Sequence, residues 1–297
     1  MTKRILSVLV AISLMFALAS IGMAKSSSDD IIVSATKEMI FDKKITDSCH
    51  ASTVLPLDDG SVIAAWFGGS SEKKSDVKIY TSVRTEEDGW SDPIVVSAAD
   101  DIAHWNPVLF QKEDGTVVLY FKVGTDTDYW KTYYATSTDG RSWSTPRELV
   151  PGDNSGGRGP VKNKPIRLKD GTVLAPASTE IDGEWKAFVD ISTDDGATWT
   201  KTANVDSKYC TWFKVPMIQP TLWQSADGSV HMLTRTKVGK IYRSDSYDNG
   251  KTFTKIKTFE KGLAEYSYPS VVVKGDTIHI TYTYERDYIA YWQIKIK

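Results

Sequence analysis

Ser192-Thr193-Asp194-Asp195-Gly196-Ala197-Thr198-Trp199 is the stretch whose reading decides the fold. Serine, threonine and aspartate side chains can bond the amides of a tight turn, and glycine can take the left-handed backbone such a turn needs. The closing tryptophan can pack beneath the turn. The same order recurs at Ser246-Tyr247-Asp248-Asn249-Gly250-Lys251-Thr252-Phe253, with Phe for Trp, and at Ser137-Thr138-Asp139-Gly140-Arg141-Ser142-Trp143. A worn copy spans Thr85 to Trp90.

Between these copies runs a second punctuation. Asp59-Gly60, Asp114-Gly115, Asp170-Gly171, Asp227-Gly228 and, less regularly, Lys274-Gly275 recur about every 55 residues. Each is flanked by apolar, β-branched runs, such as STVLPL and SVIAAWF, or PTLWQ and SVHMLTR. Apolar runs around Asp-Gly signal a hairpin. Each repeat therefore supplies two strands around the Asp-Gly turn and two around the longer turn. Four strands per repeat is a propeller blade. The chain is expected to be all-β, a propeller of four-stranded blades, with five blades counted. The fifth repeat offers three strands, and the segment Ile31 to Ile40 is expected to add the fourth and hide the edges.

The chain has 297 residues, 36 Lys+Arg and 38 Asp+Glu, for a formal charge of −2. That balance argues against a polyanion-binding surface, so no nucleic-acid partner is expected. Lys3 and Arg4 precede an apolar run, Ile5 to Ile21, that ends in Gly22-Met23-Ala24. This reads as an export signal over residues 1–24, with the propeller in 25–297 and a secreted or periplasmic location. No membrane role is expected beyond that segment. Cys49 and Cys210 are the two cysteines, and their spacing leaves the pairing open. No CxxC, HExxH, GxGxxG or P-loop is present, which argues against zinc, dinucleotide and kinase chemistry. No metal or cofactor is expected.

Strand direction places one set of residues on one rim. In an antiparallel hairpin, the start of the first strand and the end of the second lie together, opposite the Asp-Gly turn. The first strands begin at Cys49-His50, Trp105-Asn106-Pro107, Lys162-Asn163-Lys164, Ile218-Gln219-Pro220 and Tyr266-Ser267-Tyr268. The second strands end at Trp66-Phe67-Gly68, Phe121-Lys122, Ser178-Thr179-Glu180, Arg235 and Tyr284-Glu285-Arg286. Lys122, Lys164, Arg235 and Arg286 are expected to give this mouth a positive cluster suited to a carboxylate. Asn106, Gln219 and Trp105 add hydrogen bonds and an aromatic wall. Trp66 and Trp130 are further candidates for stacking on a sugar.

The serine–aspartate–glycine–tryptophan turns are similar to the Asp-boxes of the sialidase (neuraminidase) superfamily. The chain resembles the bacterial BNR-repeat, sialidase-like proteins over nearly all of residues 25–297. That resemblance implies a six-bladed propeller, a glycan substrate, three arginines on a sugar carboxylate, a tyrosine nucleophile activated by a glutamate, and an aspartate acid/base. By resemblance, Arg235 matches one arginine, Gln219 stands at the activating glutamate, and Tyr268 in Tyr-Pro-Ser-Val matches the nucleophile. Asp76 in Ser-Asp-Val-Lys-Ile lies near the acid/base region. The family's Phe-Arg-Ile-Pro segment is replaced by Cys49-His50-Ala51-Ser52, and five blades are counted against six.

Three functions follow. The first is a secreted exo-acting glycoside hydrolase that removes a terminal anionic, sialic acid-like sugar, with Tyr268 as nucleophile and Glu180 or Asp76 as acid/base. The second uses His50, or after it His104, as general acid/base on rhamnose–glucuronate linkages. His231 and His279 read as strand residues. The third is a glycan-binding propeller without catalysis.

Overall fold

The structure is a computed structural model. It describes residues 38–205 and 215–258, and the backbone of the three strands within 266–295. The predicted N-terminal signal, the closing strand from Ile31, the Lys274-Gly275 turn, Cys210 and Arg286 lie wholly or mainly outside the described residues, as does the Tyr268 side chain.

Five antiparallel meanders follow one another along the chain. The first contains β1 (Ser48–Pro56), β2 (Val62–Gly69), β3 (Lys78–Thr85), β4 (Gly89–Trp90) and β5 (Ile94–Val96). The second contains β6 (His104–Gln111), β7 (Val117–Val123), β8 (Lys131–Ser137) and β9 (Arg147–Glu148). The third contains β10 (Ile166–Arg167), β11 (Val173–Thr179), β12 (Lys186–Ser192) and β13 (Thr200–Lys201). The fourth contains β14 (Met217–Gln224), β15 (Val230–Thr236), β16 (Ile241–Ser246) and β17 (Thr254–Thr258). The fifth contains β18 (Tyr266–Lys274), β19 (Thr277–Tyr284) and β20 (Tyr288–Lys295). Among the described residues these sheets are the expected propeller blades: four carry four or more strands and the last carries three. Two details differ from expectation. The outer strand of the first blade is split, because β4 and β5 both pair with β3. The first strand of the third blade shrinks to two residues, because Lys162–Pro165 leaves the ladder to reach neighbouring blades.

The Asp-Gly turns follow one design. Asp59, Asp114, Asp170 and Asp227 each accept the N–H two residues ahead through Oδ1, at 2.9–3.0 Å. The glycine between has φ from 85° to 90° in all four. The second strands β7 and β11 are buried along their whole length. Sheets stack on both their faces, which is why the sequence there reads as continuous VVLYFKV and VLAPAST rather than alternating. Phe121, Leu119, Leu174 and Met232 are fully buried. Each contributes about 1.5–3 kcal/mol of apolar burial.

The longer turns join consecutive blades. In the third blade, Asp194 Oδ1 accepts the Thr198 N–H at 2.9 Å and the Ser192 hydroxyl at 2.7 Å. Trp199 Nε1 returns to the Gly196 carbonyl at 3.1 Å, and its ring meets Tyr120 of the second blade edge-on at 6.3 Å. In the second blade, Trp143 donates to Thr81 Oγ1 of the first at 3.1 Å. A Cβ on Gly140 would fall 2.5 Å from Ile63 of the first blade, and Gly140 has φ 68°, so glycine is required there twice over. Gly250 of the fourth blade stands in the same way against Leu174 of the third. Each turn thus seats its blade on the one before it.

Candidate functional site

The first strands of four blades carry the same irregularity. The pairing register slips between His50 and Thr53, between Trp105 and Val108, between Ile218 and Thr221, and between Ser267 and Ser270. Each slip is a β-bulge, a device that re-aims a side chain. In the three bulges whose dihedrals are described, the residue after the slip has a left-handed backbone: Ala51 at φ 55°, Asn106 at 43° and Gln219 at 52°. Non-glycine residues adopt this conformation at a cost, which concentrates at functional positions. Tyr268 occupies the corresponding place in β18. Proline follows at 107, 220 and 269, where a ladder N–H is already lost.

Three of these bulges border one cavity of about 370 Å³. The first blade gives it His50, Ala51 and Ser52 from β1, and Glu72 from the β2–β3 loop. The second gives Trp105 and Asn106 from β6, and Thr127 and Trp130 from the β7–β8 loop. The third gives Lys162 and Glu180, and the fourth gives Gln219. His50, Asn106, Trp105, Gln219 and Glu180 are thus brought together as the strand directions predict.

The cavity has an uneven charge pattern. Glu180 follows the last residue of β11, and burial raises its pKa from the ordinary carboxylate value. Asp128 adds to that rise, while Arg235, Lys237 and Lys73 oppose it. Lys162 points its ammonium at the Ser52 carbonyl, 3.4 Å away, and desolvation lowers its pKa. His50 is exposed and meets the Phe67 ring edge-on at 5.8 Å. Trp105 is buried, donates to the Gly124 carbonyl at 2.9 Å, and packs edge-on against Trp130 at 5.8 Å. A Cβ on Gly124 would lie 2.7 Å from the Trp130 Cα, so glycine there lets the Trp130 loop close on the cavity.

Several expected site residues sit elsewhere. Lys122 is fully buried, donating to Thr132 Oγ1 at 2.6 Å and to the Arg158 carbonyl at 2.8 Å; its pKa falls to about 7 through desolvation. It supports the blade and does not reach the mouth. Strand alternation turned it inward, and end-of-strand position alone does not report that. Asp76 accepts the N–H and hydroxyl of Ser70 at 2.9 and 3.0 Å, which lowers its pKa and fixes the β2–β3 loop. It borders a separate depression with Ser70 and Tyr80. Its contribution is to hold the loop that presents Glu72. Lys164 is engaged with Thr53 Oγ1 and the Leu109 carbonyl, at 3.0 and 3.1 Å. Arg235 lies over the Trp185 ring at 5.1 Å, outside the cavity lining but close enough to act electrostatically on Glu180.

The other aromatic and histidine candidates also resolve. Trp66 is buried and stacked on Phe41 at 5.4 Å and Tyr80 at 6.1 Å, so it packs rather than faces the cavity. His104 is fully buried. Its Nε2 accepts the Ala98 N–H at 3.0 Å, so Nδ1 carries the proton toward the Ile102 carbonyl at 2.9 Å. Desolvation lowers its pKa to about 4, and it is a structural, neutral histidine. His231 is a buried strand residue between Asp245 and Ser225, at 2.6 and 2.7 Å. Cys49 is an exposed free thiol.

Glu72 was missed by sequence reasoning. It lies on no strand end, and only the closed β2–β3 loop carries it to the mouth. Among the described residues, no group of three His, Cys, Asp or Glu side chains is placed to hold a metal. No described helix is long and apolar enough to cross a membrane.

Residues 60–261 match the BNR repeat-like domain family. No curated protein matches the chain in sequence. Among solved structures, a protein of unknown function from Dyadobacter fermentans superposes with a TM-score of 0.67 at 16% identity, over 84% of this chain and 79% of that one. The Hadza microbial sialidase Hz136 gives 0.64 at 16% identity, over 80% of this chain and 53% of its own. The Trypanosoma rangeli sialidase in complex with sialic acid gives 0.62 at 14% identity, over 86% and 49%. The chain spans about half the length of these two sialidases, and at such identities the likeness is one of fold.

Proposed function

The chain belongs to the BNR repeat-like domain family, and on that footing we propose that it is a glycoside hydrolase of the sialidase type, acting on a terminal anionic sugar. The reading rests on one observation: Glu180, with its raised pKa, shares a cavity with a second carboxylate, Glu72, and with the cation Lys162. A carboxyl whose pKa is raised by burial can act as a general acid, and a nearby carboxylate can act as base or stabilise a developing cation.

Glu180 gives its proton to the glycosidic oxygen as the bond to the anomeric carbon breaks. Lys162 faces the sugar carboxylate. Tyr268, at the fourth bulge, takes the place of the nucleophile that the resemblance implies: its oxygen bonds the anomeric carbon as its phenolic proton passes to the Glu72 carboxylate, and water then displaces it, giving a proton to the ionised Glu180. Asn106, Gln219 and the Trp105–Trp130 wall orient the ring. The N-terminal segment 1–24 fits export, which would bring the enzyme to glycans outside the cell.

A second reading is favoured by His50, which is exposed in the same cavity and two residues from Ser52, the residue Lys162 addresses. Acting as a base, His50 can take a proton from a uronate ring carbon while the bond to the linked sugar's oxygen breaks and that oxygen takes the Glu180 proton, giving an unsaturated uronate, or it can activate water for hydrolysis.

The test is sugar release by residues 25–297 from 3′- and 6′-sialyllactose and from a rhamnosyl-glucuronate oligosaccharide. Free sialic acid, lost in Glu180→Gln and Tyr268→Phe, is the expected result. Rhamnose or an unsaturated uronate, lost in His50→Ala, moves the protein to the second reading. No release by folded protein overturns hydrolysis on these linkages and leaves a glycan-binding propeller.

A further inference from the structure

Glu180 leads directly into a short turn, Ile181–Gly183, that two neighbouring blades hold from outside. Within the turn, the Gly183 N–H donates to the Glu180 carbonyl at 3.1 Å and the Glu184 N–H to the Ile181 carbonyl at 2.9 Å. From the second blade, Asp128 Oδ2 accepts the Asp182 N–H at 3.0 Å. From the fourth, Lys237 Nζ donates to the Gly183 carbonyl. Asp182 has a left-handed backbone, at φ 53° and ψ 32°. A non-glycine residue keeps that conformation only where its surroundings enforce it. The Asp128 carboxylate bonds that same residue.

Asp128 is itself fixed. It is half-buried in the β7–β8 loop, which also brings Thr127 and Trp130 to the cavity. Its N–H donates to Asp126 Oδ1 at 3.0 Å, and its carbonyl backs onto Gly156, 3.3 Å from where a Cβ would lie. Thr179 and Ile181 also pack against Gly156, at 3.7 and 3.4 Å from that point, while Glu180 between them borders the cavity. The aim of Glu180 is thus set by what occupies the other side of its chain.

The two outside ties carry opposite charges and act on Glu180 in opposite senses. Asp128 adds to the rise that burial produces, and Lys237 opposes it. The other charged or titratable groups that face Glu180 are Lys73, Glu72 and His50 of the first blade, Lys162 of its own, and Arg235 of the fourth. A proton donor needs both a fixed direction and surroundings that favour its neutral form.

We propose that Asp128 is a positioning residue for the proton donor: its carboxylate holds the turn that aims Glu180 into the cavity and places a negative charge within electrostatic reach of it. Lys237 is the opposing tie. The inference rests on the hydrolase reading above for the use made of Glu180.

The test separates charge from aim. Asp128→Asn keeps an amide oxygen for the Asp182 N–H but removes the charge, whereas Asp128→Ala removes both. Glu180 is followed without substrate by carboxyl NMR of protein labelled in its glutamate side chains, its signal assigned by its loss in Glu180→Gln. Its titration midpoint is expected to fall by about half a pH unit in both Asp128 variants. Alongside, kcat and KM are measured across pH on the substrate that the wild-type protein cleaves. Asp128→Asn should keep the wild-type kcat on the acidic side of its profile, with the alkaline limb moved to lower pH. Asp128→Ala should lose about tenfold in kcat with KM little changed, because only the aim of the donor is spoiled. An unmoved Glu180 midpoint in Asp128→Asn, or a kcat in Asp128→Ala no lower than in Asp128→Asn, overturns the proposal. If the wild-type protein releases no sugar, the hydrolase reading fails by itself. The substrate-free midpoint then still decides Asp128, a lowered one supporting its role and an unmoved one overturning it.

Discussion

Lys164 Nζ on the third blade donates to Thr53 Oγ1 on the first, at 3.0 Å, and to the Leu109 carbonyl of the second, at 3.1 Å. One ammonium therefore ties three blades beneath the candidate site. Thr53 closes the bulge that begins at His50, so the same contact helps hold His50 and Ser52 at the cavity. Desolvation, with the nearby charge of Lys162, lowers the Lys164 pKa to about 8. Lys164→Met is expected to cost about 1 kcal/mol of stability through the lost hydrogen bonds. It should also weaken ligand binding several-fold without abolishing it, as read by urea unfolding and calorimetric titration. Unchanged affinity would separate this tie from the site.

Lys122 gives a pH signature. Its folded pKa of about 7 lies below the ordinary lysine value of 10.5. Between these values the folded chain binds fewer protons than the unfolded one, so this group makes stability rise with pH. Below about pH 7 the cost of the buried charge is fully present. In Lys122→Met, Thr132 Oγ1 still donates to the Arg158 carbonyl, so that acceptor keeps a partner. The variant is expected to be the more stable protein at pH 7, with the gap narrowing toward pH 9.5. Each tenfold difference in proton affinity between the folded and unfolded chain corresponds to about 1.4 kcal/mol. Urea midpoints of both proteins at the two pH values check it, and a gap independent of pH would contradict it.

Glu180 sets the alkaline limb of activity if it is the proton donor. Burial raises its pKa, so the limb should lie above the range of a free glutamate. Lys237 opposes that rise, and Lys237→Met should therefore move the limb to higher pH. Glu180→Gln is expected to lower kcat by roughly 10²–10⁴ while leaving sugar binding measurable. A pH–rate profile of kcat/KM for the three proteins reads both effects.

Asp194 tests the turn against the site. Its carboxylate accepts from Ser192, from the Thr198 N–H and from the Thr198 hydroxyl. These bonds lower its pKa to about 2, so their support is present above the ordinary carboxylate value and fades as pH falls toward 2. Asp194→Ala should lower the melting midpoint by several degrees at pH 7, with less difference near pH 2.5. Sugar affinity of the folded variant should be unchanged, because this turn lies away from the cavity residues. Loss of affinity at full folding would assign the turn a direct role.

The repeat carried most of the fold in plain sight, because each Asp-Gly and each Ser-x-Asp-x-Gly-x-Thr-Trp turn imposes a backbone that few residues satisfy. Strand direction likewise predicted that His50, Trp105, Asn106, Glu180 and Gln219 would meet. It failed for Lys122, since the face of a strand depends on which neighbour covers it. It failed for Glu72, since a loop's course depends on contacts such as Asp76 with Ser70. The bulges left a trace that could have been read: proline at 107, 220 and 269 stands inside otherwise strand-like runs, where only an edge or a bulge tolerates it.

Those bulges have a consequence for how such a protein can change. The slip in register, not the residue within it, sets the course of the backbone, so alanine, asparagine and glutamine occupy equivalent places without altering the blade around them. Residues 51, 106, 219 and 268 are therefore positions where repeats of one backbone plan carry different side chains. A lineage built on this plan can exchange one ligand for another by single substitutions in separate repeats, each tried on a scaffold that the other repeats keep intact.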